Sequence, residues 1–281
     1  MNSLTTTYTL ANGVEIPIIG FGTWQNIEQA ESATLAAIKA GYRHIDTAAI
    51  YENEEPVGNA IHASGVDRKD LFITTKLWNA ERGYETTLAA FDESLRKLRL
   101  DYLDLYLVHW PAHALVSENW AAINAQTWLA FEEIYNSGRV RAIGISNFSV
   151  PYLTELMKTA RITPMVNQVE FHPGYMQPET VQMSKDLGMV VEAWSPLGSG
   201  AMLHDPTLVE IADAYGVSVA QLCVRWCLQH QTLPMPKSVS PERIVQNADV
   251  FGFEISAEDM AKIDALPESG FSGLHPDRNP F

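Results

Sequence analysis

Short β-rich apolar runs alternate with longer segments of helical period along the whole chain. This alternation restricts the fold more than any other feature. The runs cover residues 17–21, 44–46, 71–76, 103–109, 140–145, 165–170, 189–194 and 233–236. Segments such as 28–40, 84–98, 128–137 and 151–159 repeat their apolar positions at helical spacing, as a helix with one buried face requires. Gly41, Gly138 and Gly188 follow helical segments, where glycine readily takes the left-handed capping conformation. Eight strands, each followed by at least one helix, predict an α/β fold of the (β/α)8 type, a TIM barrel. The length of 281 residues agrees, since such barrels run to about 250 residues. A doubly wound open sheet would need a Gly-rich turn after its first strand. Gly20-Phe21-Gly22-Thr23-Trp24 supplies two glycines of that pattern and lacks the third.

Ahead of the first run, Thr9-Leu10 and Val14-Glu15-Ile16 flank Ala11-Asn12-Gly13. Asn-Gly between apolar stretches is a strong hairpin signal, so a small N-terminal β-hairpin is expected to close the bottom of the barrel. No linker, charge block or low-complexity segment divides the chain, and residues 1–281 are expected to form one domain. Lys and Arg total 19 against 34 Asp and Glu, a formal charge of −15. That surplus argues against nucleic-acid or anionic-membrane partners, which need a broad basic face. A small anionic ligand needs only a few local cations and stays open. Two cysteines cannot make a disulfide scaffold. No apolar stretch approaches the ~20 residues that span a bilayer. The start, MNSLTTTYTL, lacks the basic and apolar regions of a signal peptide. A soluble cytoplasmic protein, monomeric in the simplest case, is expected.

In barrels of this kind, chemistry sits at the C-terminal ends of the strands. The second run ends in Asp46, with Tyr51 in the following turn, and the third in Lys76-Leu77-Trp78. The fourth ends in His109-Trp110-Pro111, and the fifth leads into Ser146-Asn147. The sixth holds Gln168 and Glu170, the seventh Trp194-Ser195, and the eighth Pro236-Lys237-Ser238. Singly, these residues have ordinary readings: Asp46 and Lys76 as a structural ion pair, His109 as a core histidine. Together they have a chemical use. A tyrosine with its usual pKa of ~10 is a poor acid–base group at neutral pH, and a nearby ammonium stabilises its anion. A carboxylate keeps the lysine charged and placed. A neutral imidazole opposite would donate a hydrogen bond to a carbonyl oxygen. Such a set protonates that oxygen while a hydride reaches the carbon.

Across essentially its full length the chain resembles the aldo-keto reductases, including the diketogluconate reductase and prostaglandin F synthase-like members of bacteria and protists. The residues that carry the resemblance run in order from Gly41-Tyr42-Arg43-His44-Ile45-Asp46-Thr47-Ala48, with Tyr51 and Asn53-Glu54, to Thr74-Thr75-Lys76-Leu77-Trp78. Asp104-Leu105-Tyr106-Leu107-Val108-His109-Trp110-Pro111, Gly144-Ile145-Ser146-Asn147-Phe148 and Asn167-Gln168 continue it. Trp194-Ser195-Pro196-Leu197, Pro236-Lys237-Ser238-Val239, Pro241-Glu242-Arg243 and Gln246-Asn247 complete it. The resemblance implies a (β/α)8 barrel, an NADPH-dependent reduction of aldehydes or ketones, and a catalytic tetrad at Asp46, Tyr51, Lys76 and His109.

It also implies NADPH bound in extended form. Ser146, Asn147 and Gln168 suit the nicotinamide carboxamide, which both donates and accepts. Trp194 offers an aromatic face to the ring, where many relatives carry Tyr. Lys237, Ser238 and Arg243 surround a helix start, whose cations and free N–H groups suit the 2′-phosphate. Gln246 and Asn247 reach the adenine, and Leu197, Gly198 and Ser199 begin the loop over the pyrophosphate. Gly22, Thr23, Trp24, Ser195 and Val239 are further expected contacts.

Other features read more plainly. Trp24, Trp78 and Trp110 fall near strand ends, as an apolar substrate wall or as rim packing. The stretch 110–126 reads as a substrate loop, and 271–281 as a short, compact tail. Cys223 and Cys227, one helical turn apart, read as core. His44 and Asp46 share a face, with His109 and His172 as other candidate metal ligands, but Lys76 in the same mouth would repel a cation, so no metal is expected. A cofactor-binding sensor on the same barrel and a metal-dependent hydrolase are the competing functions.

Overall fold

The computed structural model describes residues 3–115 and 117–278. The chain begins with a hairpin of β1 (Thr7–Thr9) and β2 (Glu15–Pro17), antiparallel, with Tyr8 opposite Ile16. Its turn is the Asn-Gly turn of the sequence, with Gly13 at φ +85. Leu10 and Ile16 are buried against Phe72, Leu105, Leu107, Met165 and Leu233. Phe72 and Leu233 start their strands and Met165 immediately precedes β8, so the hairpin closes the barrel floor, as the turn chemistry predicts.

Strands and helices then alternate: β3 (Phe21–Gly22), α1 (Ala30–Lys39), β4 (His44–Asp46), α2 (Glu54–Ala63), β5 (Phe72–Leu77) and α3 (Tyr84–Leu98). Next come β6 (Leu103–Val108), α4 (Trp120–Asn136), β7 (Val140–Ser146), α5 (Val150–Leu156), β8 (Val166–Glu170) and α6 (Pro178–Asp186). The last turns are β9 (Val190–Trp194), α7 (Pro206–Tyr215), α8 (Val219–Gln229), β10 (Leu233–Pro234), α9 (Pro241–Ala248) and α10 (Ala257–Asp264). The eight strands β3 to β10 pair in chain order, all parallel. The two edges meet where Gly20 and Gly22 donate their N–H groups to the carbonyls of Pro234 and Pro236, at 3.0 and 3.1 Å. The sheet thus closes as a (β/α)8 barrel.

The two-residue period of a strand separates two cores. Ile45, Ile73, Leu77, Tyr106, Ile143 and Ile145 point outward into the layer between sheet and helices. Tyr106 stacks on Phe131 there, with ring centroids 4.6 Å apart. Their strand neighbours point inward: Phe72, Leu105, Leu107 and Ala142 fill the floor, and polar residues stand above them.

Three boundaries differ from the sequence reading. The first run, 17–21, divides between the hairpin and a two-residue barrel strand, and β10 is equally short. Pro17, Pro234 and Pro236 lack the N–H that a longer ladder needs, so the seam stays minimal. The stretch 110–126 is only partly a loop, because α4 starts at Trp120. Its buried face carries Asn124 and Thr127, which break the apolar period. Asn124 bonds both the N–H and the carbonyl of Ala112, and Thr127 accepts from the N–H of Gly83. Gly41, Gly138 and Gly188 all take positive φ at helix ends, as expected. Cys223 and Cys227 are buried on α8. Among the described residues no single helix is long and apolar enough to cross a membrane.

Candidate active site

A cavity of about 540 Å³ opens at the C-terminal ends of the strands. Of the residues singled out from the sequence, Gly22, Trp24, Asp46, Tyr51, Trp78, His109, Trp110, Ser146, Asn147, Gln168, Trp194, Ser195, Leu197, Ser199 and Lys237 line it. Ile50, Met235 and Leu274 are further apolar wall residues that no local pattern marks. Gly22, Asp46, Ser146, Gln168 and Trp194 are inward positions of β3, β4, β7, β8 and β9, and the other lining residues lie in the segments that follow the strands, which is why residues scattered over 200 positions converge.

Asp46 ends β4, Lys76 lies one residue from the end of β5, and His109 follows β6. Tyr51 closes a short 3₁₀ turn, Ala49–Tyr51, that Glu52 ends in the left-handed conformation. Asn53 pins this turn: it accepts from the Thr47 hydroxyl at 2.6 Å and donates to the carbonyls of Thr23 and Asn26. Lys76 is fully buried, and its ammonium uses all three donors. They reach Asp46 Oδ1 at 2.6 Å, the Thr47 carbonyl at 2.9 Å and the Tyr51 hydroxyl at 3.4 Å. Burial alone would lower the lysine pKa, but Asp46, Tyr51 and Glu192 together raise it, so Lys76 is charged. For Tyr51 burial is the largest influence and raises the pKa, while Lys76 pulls it down. The net direction is upward, which corrects the simple expectation of a depressed tyrosine: the lysine limits a rise that burial imposes. Tyr51 is therefore the protonated acid at neutral pH.

His109 is buried, and burial followed by the charges of Lys76 and Arg82 holds its pKa well below the usual range. The ring is neutral. It stands edge-on between Tyr51 and Trp78, with centroids 5.6 and 5.5 Å away. Tyr51 and His109 thus face one space with two donors, against a wall of tryptophan.

Around this centre the polar residues hold one another. Trp194 Nε1 donates to Asn147 Oδ1 at 2.8 Å, and Asn147 Nδ2 donates to the His109 carbonyl and the Ser146 hydroxyl. Ser146 donates to the Gln168 carbonyl. Gln168 Nε2 reaches Asp46 Oδ2 at 3.0 Å and Glu192 Oε2 at 2.6 Å, so both of its hydrogens are spent inside the barrel. Only its amide oxygen is left to accept from a ligand. Thr23 stands behind the cavity wall. It is fully buried; its N–H and hydroxyl bond the Asp46 carbonyl, and its own carbonyl takes Asn53. It braces Asp46 and Asn53.

The cavity continues past Trp194 to the segment 195–200, where Ser195, Gly198, Ser199 and Gly200 all have positive φ. The Ser195 hydroxyl accepts from the Ser199 N–H at 2.8 Å, which folds this segment back on itself. Gly198 is buried beside it. Lys237 lies at the far end of the cavity, exposed. Ser238, Val239, Arg243, Gln246 and Asn247 lie beyond the cavity wall, at and within α9. Arg243 and Gln246 are exposed, and Ser238 and Asn247 buried. Among the described residues neither Lys237 nor Arg243 has an ion-pair partner.

The tail crosses the mouth. Ser272 donates through its N–H and hydroxyl to buried Glu170, Tyr152 donates to Asp277, and Leu274 forms cavity wall. The sequence reading of the tail extends to Phe281, and its last three residues lie outside the described residues. Two buried groups with no role in that reading also emerge: Glu192, on the inward face of β9, and His44, bonded to Thr74 rather than turned toward the mouth. Strand parity puts both inside, but which inward residues touch across the barrel depends on the closure.

The family model of the aldo/keto reductase family matches residues 18–268. The chain is 52% identical over 277 residues to glyoxal reductase of Bacillus subtilis, covering 98% of both chains. It is 45% identical over 274 residues to 9,11-endoperoxide prostaglandin H2 reductase of Trypanosoma cruzi, covering 96% of this chain and 94% of that one. The crystal structure of a mutant of Gox0644 in complex with NADPH superposes with a TM-score of 0.90 at 39% identity, over 98% of this chain and 99% of the other. With these matches over nearly its whole length, the chain belongs to the aldo/keto reductase family.

Proposed function

We propose that the chain reduces aldehydes and ketones to alcohols with NADPH, and that Tyr51 gives the proton. The observation that carries this reading is the buried Lys76 ammonium, bonded at once to Asp46 and to the Tyr51 hydroxyl. NADPH supplies the hydride that the carbonyl carbon accepts. His109, neutral, donates a hydrogen bond to the carbonyl oxygen and orients it. Tyr51 passes its proton to that oxygen as negative charge develops there. Lys76 stabilises the tyrosinate that remains, and Asp46 holds Lys76 charged and in place. Trp24, Trp78 and Trp110, with Ile50 and Leu274, keep water from the reacting carbon.

The residues present fit the cofactor. Trp194 offers a ring face to the cavity with its N–H already committed to Asn147. Gln168 and Asn147 offer amide oxygens to a carboxamide N–H, and Ser146 lies beside them. Segment 195–200, which lines the cavity beyond Trp194, would hold the pyrophosphate. Lys237 at the cavity end, with Arg243, Ser238, Val239, Gln246 and Asn247 around the start of α9, would hold the adenosine phosphate. Gly22 lets the barrel seam pack closely beside the cavity: a Cβ there would come within 3.2 Å of the Met235 carbonyl. The relative named glyoxal reductase supports small dicarbonyls as one class of substrate. We further take residues 1–281 as one domain acting as a cytoplasmic monomer; a catalytic set drawn from one chain supports the monomer.

The test is NADPH oxidation with a nitrobenzaldehyde, with the alcohol identified as product. Turnover is expected. NADPH binding with no turnover on any of a panel of aldehydes and ketones would instead indicate a cofactor sensor.

A further inference from the structure

We propose that Glu192 is a positioning residue for the Asp46–Lys76 pair: a carboxyl that keeps its proton inside the barrel and, through Gln168, fixes the second oxygen of Asp46. The inference extends the reductase reading to a residue outside the tetrad.

Glu192 lies mid-strand in β9, directly beside Gln168 in the β8 register, with no solvent exposure. A single amide nitrogen, Gln168 Nε2, donates to both carboxyls, at 2.6 Å to Glu192 and 3.0 Å to Asp46 Oδ2. Asp46 Oδ1 in turn takes Lys76 at 2.6 Å, and Lys76 reaches Tyr51. A continuous hydrogen-bonded chain therefore runs from Glu192 in the interior to the hydroxyl that delivers the proton. An apolar residue in place of Glu192 would strand one hydrogen of Gln168 and free the amide to rotate off Asp46.

Charge decides the protonation state. The groups facing Glu192 are Asp46 from β4, Lys76 from β5, neutral Gln168 from β8, and His44, whose Nε2 is 3.9 Å from Glu192 Oε1. Burial and Lys76 push the His44 pKa down to about 3, so His44 brings no charge. One ammonium then serves two carboxyls. Ionising both would leave an uncompensated anion in the barrel, which costs several kcal/mol. Asp46 holds the direct bond to Lys76, so Glu192 keeps the proton. Burial first, and Asp46 second, push its pKa up to about 8. Oε1 has no hydrogen-bond partner among the described residues, which an ionised oxygen could not sustain there. While Glu192 is neutral, the charge of Lys76 is shared only between Asp46 and Tyr51. Once ionised, Glu192 would bind Lys76 more firmly and make tyrosinate harder to form.

Two measurements test this. Infrared spectra of the cofactor-free protein should show neutral carboxylic-acid absorption at pH 7, with a component that fades as pH rises through about 8 and is lost in Glu192→Gln. This needs no turnover, so its outcome is independent of the reductase assignment. If Glu192→Gln does not fold, Glu54→Gln removes the other carboxyl that burial raises, and a band remaining in that variant reports Glu192. Alcohol oxidation in Glu192→Gln should begin its alkaline rise about half a unit or more below that of the parent, as expected for one charge across a polar interior. Carboxylic-acid absorption at pH 7 that Glu192→Gln leaves undiminished, the absence of any such absorption at pH 7, or superimposable oxidation profiles would each overturn the proposal.

Discussion

Lys76 carries more of the site than any other side chain, and its replacement separates two effects. Lys76→Met leaves Asp46 buried without a cation, and breaking a buried pair costs about 3–5 kcal/mol. The melting midpoint should fall accordingly in a denaturant titration at neutral pH. In the protein that stays folded, Tyr51 loses the one influence that lowers its pKa against burial. Oxidation of alcohols needs tyrosinate, so its rise with pH should move to higher pH than in the parent. Reduction needs the protonated tyrosine and should keep its plateau further into the alkaline range. An oxidation profile that does not move would separate Lys76 from Tyr51. At this scale the sequence was informative because strand ends in a barrel are read in order: Asp46, Lys76 and His109 each terminate a run. Glu192 and His44 were not legible as partners, since nothing local says that β4 and β9 residues meet across the interior.

Strands and helices owe their placement to period, and the exceptions have local causes. β5 through β9 were readable because apolar runs bury both faces. The minimal strands β3 and β10 were not, because proline removes ladder donors there. The start of α4 was hidden by Asn124 and Thr127, polar residues that face inward to tie down Ala112 and Gly83. Packing between helices is equally specific. Gly58 on α2 lies against the end of α3, where an added Cβ would stand 2.4 Å from the Leu98 carbonyl oxygen. That neighbour is backbone and cannot swing away. Gly58→Ala should therefore cost about 1–3 kcal/mol, the usual range for overpacking, despite the better helix propensity of alanine. Chemical denaturation measures it, and a neutral or stabilised variant would show that α2 and α3 can slide apart.

For the whole molecule the central contrast is between a charge of −15 and a cofactor rich in phosphate. We propose Lys237 and Arg243, both exposed and both without ion-pair partners among the described residues, as the local answer. A hydrogen bond to a charged group contributes about 1.5–3 kcal/mol, and ~1.4 kcal/mol is a factor of ten in affinity. Arg243→Ala should weaken NADPH by roughly one to two decades and leave NADH nearly as it was, measured as two dissociation constants. Added salt should weaken NADPH more than NADH in the parent, because the contact is ionic and exposed. An unchanged NADPH-to-NADH ratio would put the phosphate elsewhere. The barrel and its mouth were legible from alternation and strand ends, whereas the cavity walls from Ile50, Met235 and Leu274 depend on loops whose course no local pattern fixes. All of this converges on one proton. Tyr51→Phe keeps the ring and removes only the hydroxyl that Lys76 holds, so it tests the account most directly. NADPH affinity should stay close to that of the parent while carbonyl reduction falls by ~10²–10⁴ or more, the usual share of general-acid catalysis. Turnover near that of the parent, with NADPH still bound, would contradict it.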